Sequence, residues 1–221
     1  MPRGCSPPDG ATRPRILTIA GEGGERRLTL PNLYAVPQPE RPPVTLTRTP
    51  AGAVVRINNA LGDSATIAAF DEALAALPDR LPLVIDLTDT PSGGNTVVAR
   101  AIMGCFVDKP TFYQVHRSPA EEGETGIARA CAELVMPRAG KRHRGPVTVR
   151  VGRWTGSMGE GLAIGPAQTG ARVEGTAMAG LLGAIEDVAL PASGLVVKFP
   201  TERLETVDYV PRERFVPQPE R

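Results

Sequence analysis

The sequence predicts an α/β fold, and three observations carry the prediction. Residues 81–87 (LPLVIDL) are a nearly unbroken apolar run, the pattern of a strand buried on both faces, and residues 147–151 (VTVRV) read as another buried strand. Segments with helical apolar spacing separate such runs, which is the alternation of a sheet with crossover helices. Glycine-rich turns stand where strands give way to helices, where α/β sheets hold ligands.

Taken in order, residues 15–20 and 26–31 read as two short strands joined by the turn Gly21-Glu22-Gly23-Gly24. A lone hairpin is marginal in water, so it reads as the tail of something larger. Pro31, Pro37, Pro39, Pro42, Pro43 and Pro50 then suit an extended linker or an edge segment and exclude a helix. The hexamer Val36-Pro37-Gln38-Pro39-Glu40-Arg41 recurs as Val216-Pro217-Gln218-Pro219-Glu220-Arg221, which is too little for a repeat architecture. Residues 53–58 form a strand. Asp63-Ser64 caps a helix reaching Leu77, with Ile67, Phe70, Leu74 and Leu77 on one stripe. The buried strand 81–87, a helix over 95–105, a strand near 111–115 and a polar loop over 117–145 follow. A strand at 147–151 leads into a helix over 157–169, and short strands at 172–174, 185–190 and 195–199 finish the chain.

The 221 residues are 41% hydrophobic and 22% charged, an ordinary globular composition. Mean hydropathy is −0.11. Such a length is one domain, or one and a fraction. The 24 glycines and 23 prolines exceed the usual share, without a collagen triplet. With Lys+Arg 25 against Asp+Glu 24, the net charge of +1 gives no field to draw nucleic acid or an anionic membrane. No apolar run reaches the roughly 18 residues of a membrane span. Cys5, Cys105 and Cys131 lack metal or disulfide spacing, so no metal and no cofactor is expected. Residues 1–24 lack the apolar core of a signal peptide, which would place the start of an exported protein further upstream.

Two turns can carry chemistry. In Arg153-Trp154-Thr155-Gly156-Ser157-Met158-Gly159-Glu160-Gly161, glycines crowd one serine at a helix start, where free N–H groups favour the negative charge an attacked carbonyl develops. Ser157 is otherwise simply an N-cap. The turn is not the G-x-S-x-G elbow, because Thr155 holds the first glycine position. Asp86-Leu87-Thr88-Asp89-Thr90-Pro91-Ser92-Gly93-Gly94-Asn95 also leaves a buried strand, and consecutive glycines can aim an N–H at a substrate oxygen. No Gly-Lys-Ser/Thr follows, so it is not a P-loop.

Together and in this order, the two turns resemble the catalytic domain of the tail-specific, or C-terminal-processing, serine peptidases. LVIDLTDTPSGGN is similar to the family's D-L-R-x-N-x-G-G-N loop, PVTVRVGRWTGSMGEGLAIG to its nucleophile strand and helix, and VEGTAMAGLLGA to its G-T-x-x-x-G loop. The resemblance implies a ClpP/crotonase-like spiral α/β domain over residues 51–221. It further implies that residues 1–50 are a tail, a hairpin left from a PDZ-like domain and a Pro-rich linker.

By that resemblance Ser157 is the acyl-forming nucleophile that cleaves peptide bonds. Met158 with Gly93 or Gly94 supplies the oxyanion hole, and Glu213 is the orienting carboxylate near the C-terminus. Thr88 replaces the family's usual arginine, and the loop 176–182 lacks the lysine base of many members. The base is then His116, or a histidine from a segment upstream; His143 lies in the cationic run Lys141-Arg142-His143-Arg144, read as a solvated loop. Glu160 orients substrate or caps the helix. The implied partner is a peptide or protein substrate and the implied location extracytoplasmic. The missing lysine motivates a second reading, an inactive peptide- or ligand-binding module on the same scaffold. A crotonase-type acyl-thioester enzyme is a third, and it leaves the serine turn unexplained.

Overall fold

The computed structural model describes residues 14–30, 41–58, 61–91, 94 and 96–220. The chain divides into two compact units, residues 1–41 and 42–221. In the first, β1 (Arg15–Gly21) and β2 (Gly24–Leu30) pair antiparallel, Arg15 opposite Leu30 and Gly21 opposite Gly24. Gly24 takes φ 93, a conformation the tight reversal needs and a side chain would resist.

In the second unit β3 (Val44–Thr49) and β4 (Gly52–Ile57) form a hairpin, so part of the proline-bearing stretch is an edge strand. The helix α1 (Ala65–Ala75) follows, with the Asp63 carboxylate accepting the Ala65 N–H at 2.8 Å. Then come β5 (Leu83–Asp86), α2 (Thr96–Met103) and β6 (Thr111–Arg117).

The stretch 117–145, expected to be one polar loop, instead holds α3 (Pro119–Thr125) and β7 (Ala130–Val135). α3 is a local structure, capped by Ser118 and ended by Gly126 at φ 71, and none of its residues is buried. β7 is mostly exposed, so neither carries the apolar periodicity that marks an element in sequence. β8 (Val147–Val151), α4 (Met158–Ala167), β9 (Arg172–Gly175), β10 (Ala184–Ala189) and β11 (Val196–Glu205) complete the order, with a 3-10 turn at Arg212–Arg214.

A five-stranded sheet has the order β3-β4-β5-β8-β9, parallel except for β3. A four-stranded antiparallel sheet has the order β10-β11-β6-β7. Val55, Ile57, Ile85, Leu87 and Val149 are fully buried, and α1, α2 and α4 cover them with Phe70, Leu74, Val98, Ile102, Leu162 and Ala163. Burying each large apolar side chain contributes about 1.5–3 kcal/mol, so the parallel sheet is a rigid base for the loops at its ends.

Candidate active site

Because β4, β5, β8 and β9 run parallel, the loops after their C-terminal ends lie at one end of the sheet. Three of these are the glycine-bearing loops of the sequence. The Gly156 N–H donates to the Thr90 carbonyl at 3.2 Å, and the Ala179 N–H donates to the Thr155 carbonyl at 3.0 Å. The buried Thr155 hydroxyl donates to the Leu87 carbonyl at 2.8 Å, and the buried Thr90 hydroxyl to the Ile57 carbonyl at 3.0 Å. The loop after β5 is thereby locked between its neighbours. Gly94 backs onto the loop after β4 so tightly that a Cβ there would lie 2.0 Å from the Leu61 carbonyl carbon. Gly93, with Ser92 and Asn95, lies outside the described residues.

Ser157 sits in the turn from β8 to α4 with φ 52 and ψ −116. Tyr209, at φ 61, is the other non-glycine residue with positive φ among those described. Such backbone costs on the order of 1–3 kcal/mol and persists only where surrounding contacts impose it. Here Gly156 imposes it from one side: a Cβ on it would meet the Pro91 carbonyl oxygen at 3.1 Å and Leu181 Cδ1 at 3.2 Å. From the other side α4 is buried along Met158–Pro166 and cannot shift. The sharp turn leaves Ser157 half-buried at the helix start. The Met158 N–H, in the first turn of α4, is bonded to no other described residue. A helix N-terminus beside a hydroxyl is suited to hold an oxyanion.

Glu160 is fully buried one turn into α4. Its carboxylate accepts the Ser157 N–H at 2.8 Å, the Gly180 N–H at 2.8 Å and the Leu181 N–H at 3.3 Å. So it caps the helix, as one sequence reading had it, and also ties the loop after β9 to the serine turn. Burial pushes its carboxyl up, against the charge of Arg212 and the three amide bonds. Arg212, 1% exposed, lies 3.7 Å away and donates to the Leu181 carbonyl at 2.8 Å. Burial pulls the Arg212 guanidinium down while Glu160 and Glu213 hold it charged. Sequence reasoning missed Arg212, since one arginine among three in PRERFVPQPER carries no signal of burial. Glu213 follows it on the same 3-10 turn and is partly exposed.

His116 lies on β6 in the other sheet. Its Nδ1 faces the Glu202 carboxylate at 2.6 Å, and its Nε2 faces Glu133 at 3.2 Å and the Gln114 amide nitrogen at 2.9 Å. The Glu133 bond raises its pKa against the effect of burial, and Glu202 adds to the rise. Burial acts on Glu133 the other way, but bonds from His116, Tyr113 and Gln114 and the Arg100 charge bring it to about 2. His143 is not solvated as expected: it is 2% exposed, its Nε2 lies 2.9 Å from the Leu81 carbonyl, and it packs edge-on against Phe106. Of that run only His143 turns inward, while Lys141 and Arg144 stay exposed, and burial lowers the His143 pKa. Lys141 pairs with Asp71 and Lys198 with Asp187. No imidazole, carboxylate or amine of the described residues is hydrogen-bonded to the Ser157 hydroxyl.

A cleft of about 430 Å³ opens at the opposite end of the sheet, beside Pro146, Thr169 and Gly170. Its Arg142, Arg144 and Arg172 are already paired with Asp108, Asp79 and Glu174. Among the described residues no cluster of His, Cys, Asp and Glu could hold a metal ion, and no helix is long and apolar enough to cross a membrane.

The sheet order defines a class, a mixed α/β domain, and solved structures of peptidases share its fold. No family model and no curated protein matches the sequence. The fold is similar to that of a photosystem II D1 C-terminal processing protease, at TM-score 0.66 and 18% identity over 95% of this chain and 55% of that one. It is similar to mature CPAF, solved with lactacystin, at TM-score 0.62 and 11% identity over 94% and 63%. A Bacteroides fragilis protein assigned to the S41 proteases matches at TM-score 0.60 and 13% identity over 93% and 58%. The chain thus has the mixed α/β fold of S41 peptidases while spanning between 55% and 63% of the length of these structures.

Proposed function

We propose that the chain is a serine peptidase domain in which Ser157 attacks the carbonyl of a peptide bond. The observation that carries this reading is the backbone of Ser157. A non-glycine residue is held at φ 52, ψ −116 between a buried strand and a buried helix, beside the Met158 N–H, which no other described residue engages. A plain N-cap needs no such strain. In the reaction the hydroxyl oxygen bonds to the carbonyl carbon, and its proton passes to a base and then to the leaving amine. The carbonyl oxygen, negative in the tetrahedral intermediate, is held by the Met158 N–H and by an N–H of Gly93 or Gly94. Water then cleaves the acyl-serine ester. Glu213, fixed next to the anchored Arg212, is the carboxylate that orients the base.

His116 fits the base only by leaving Glu133 and Glu202, so its role is put to test with that of a histidine from an upstream segment. His116→Ala that stays folded and loses reactivity at Ser157 assigns the base to His116. Retained reactivity assigns it to the upstream segment. The hairpin β1–β2 is read as the remnant of a PDZ-like domain, and the core as the ClpP/crotonase-like spiral. Exposed Trp154, three residues before Ser157, and Leu181 against Gly156 offer apolar surface for a substrate side chain. A fluorophosphonate probe tests the assignment: labelling of the chain that disappears in Ser157→Ala supports it, and equal labelling of both contradicts it.

A further inference from the structure

The hexamer VPQPER occurs twice, and the structure shows what its second copy does. Residues 216–220 lie along the outer edge of β9. The Gln218 N–H donates to the Val173 carbonyl at 2.8 Å, and the Gly175 N–H donates to the Gln218 carbonyl at 2.9 Å, a one-residue parallel bridge. Pro217 and Pro219 have no N–H to offer, so Gln218 is the only residue of the P-Q-P core able to pair in both directions. The prolines also hold the segment extended before it binds, which lowers the entropy lost on docking.

Side chains of the sheet contact the hexamer as well. The Arg172 guanidinium donates to the Gln218 amide oxygen and to the Pro219 carbonyl, and Arg150 lies 3.5 Å from the Glu220 carboxylate. Gln, the second Pro and Glu therefore each meet a counterpart. The β9 edge is thus paired with the chain's own Gln218, Pro219 and Glu220.

From these contacts we infer that the same site takes the first copy, residues 36–41, from a second molecule of this chain. Identical residues make identical contacts, so the exchange is chemically balanced. A short tether argues for the site of another molecule over the first copy's own. Pro42 and Pro43 are pinned beside the end of β4, their carbonyls accepting the Asn58 side-chain amide at 2.8 Å and the Asn58 N–H at 3.0 Å. From Pro42 back to Gln38 the chain spans at most about 14 Å. β3 and β9 are opposite edges of a five-stranded sheet, and four strand spacings make about 19 Å. Head-to-tail docking of this kind joins molecules into chains or closed rings.

The test uses the full chain and a fluorescein-labelled Val-Pro-Gln-Pro-Glu-Arg peptide. In the wild type the tethered C-terminal copy competes at an effective concentration near the millimolar range, so the peptide binds weakly. Gln218→Pro removes the pairing N–H and empties the site. It is expected to bind the peptide at least about 10-fold more tightly, with Arg172→Ala added on top reversing the gain. Glu220→Lys, which reverses the charge facing Arg150, gives a smaller gain in the same direction and serves if Gln218→Pro misfolds. By sedimentation, the Gln218→Pro chain self-associates with concentration and the Gln38→Pro/Gln218→Pro chain does not. Peptide affinity unchanged in both site-emptying variants overturns the β9 site. Peptide binding without self-association, or association that survives Gln38→Pro, overturns the second molecule as its occupant.

Discussion

The carboxylate of Glu160 and the guanidinium of Arg212 face each other 3.7 Å apart with virtually no access to water. Between them they hold the two ends of the candidate site, Glu160 the serine turn and Arg212 the loop carbonyl of Leu181. Removing one partner of a buried pair strands the other, which typically costs about 3–5 kcal/mol. Glu160→Gln should lose stability of that order in urea titration.

Arg212→Met should be milder at low pH, because Glu160 can then take up a proton. A carboxyl whose folded pKa is raised gives its full stability below the unfolded value of 4.5 and loses it as pH rises through the folded value. The penalty of Arg212→Met is therefore expected to grow from about pH 5 to about pH 8, as the carboxyl ionises.

Ser157→Gly separates strain from chemistry. Glycine adopts φ 52 without cost, so this variant should be more stable than wild type by about 1 kcal/mol, while Ser157→Ala keeps the strain and gains nothing. Thermal or urea denaturation of the two variants side by side reads the difference.

Gly94→Ala forces a methyl to within 2.0 Å of the Leu61 carbonyl carbon, so the loop after β5 must move. The expected results are a loss of about 1–3 kcal/mol and a fall of about 100-fold or more in the rate of probe labelling at Ser157. A labelling rate equal to wild type removes this loop from the oxyanion hole.

The cluster around His116 sets a pH window. Facing it are Glu133 from β7, Glu202 from β11 and Gln114 from its own strand. Glu133, held near 2, gives stability above its unfolded value of 4.5 that is lost as pH falls. His116, raised from 6.5, gives stability that is complete below that value and lost as pH rises through the folded pKa. Stability from this cluster should peak between the two unfolded values, and His116→Gln should flatten its alkaline limb.

Much of this was legible in the sequence. The apolar run that became β5 is almost wholly buried, so hydrophobicity marked it directly, and the alternating valines marked the buried face of β8. Glycines around Ser157 marked a tight turn because few other residues fit there. The missed elements α3 and β7 are mostly exposed, held by caps and strand pairing that leave little trace in hydropathy. The burial of Arg212 and His143 was hidden for a related reason: each is charged or polar, and what buries it comes from residues far away in sequence, Glu160 and Leu181 for one, Leu81 and Phe106 for the other. The docking of VPQPE depends on Arg150 and Arg172 in the same way.

The central claim is that Ser157 is an acyl-forming nucleophile, and intact-protein mass spectrometry after reaction with a fluorophosphonate probe tests it most directly. The account predicts one adduct, mapped to the peptide carrying Ser157 and absent from Ser157→Ala. An adduct of equal yield in Ser157→Ala, or one mapped to another residue, would contradict it.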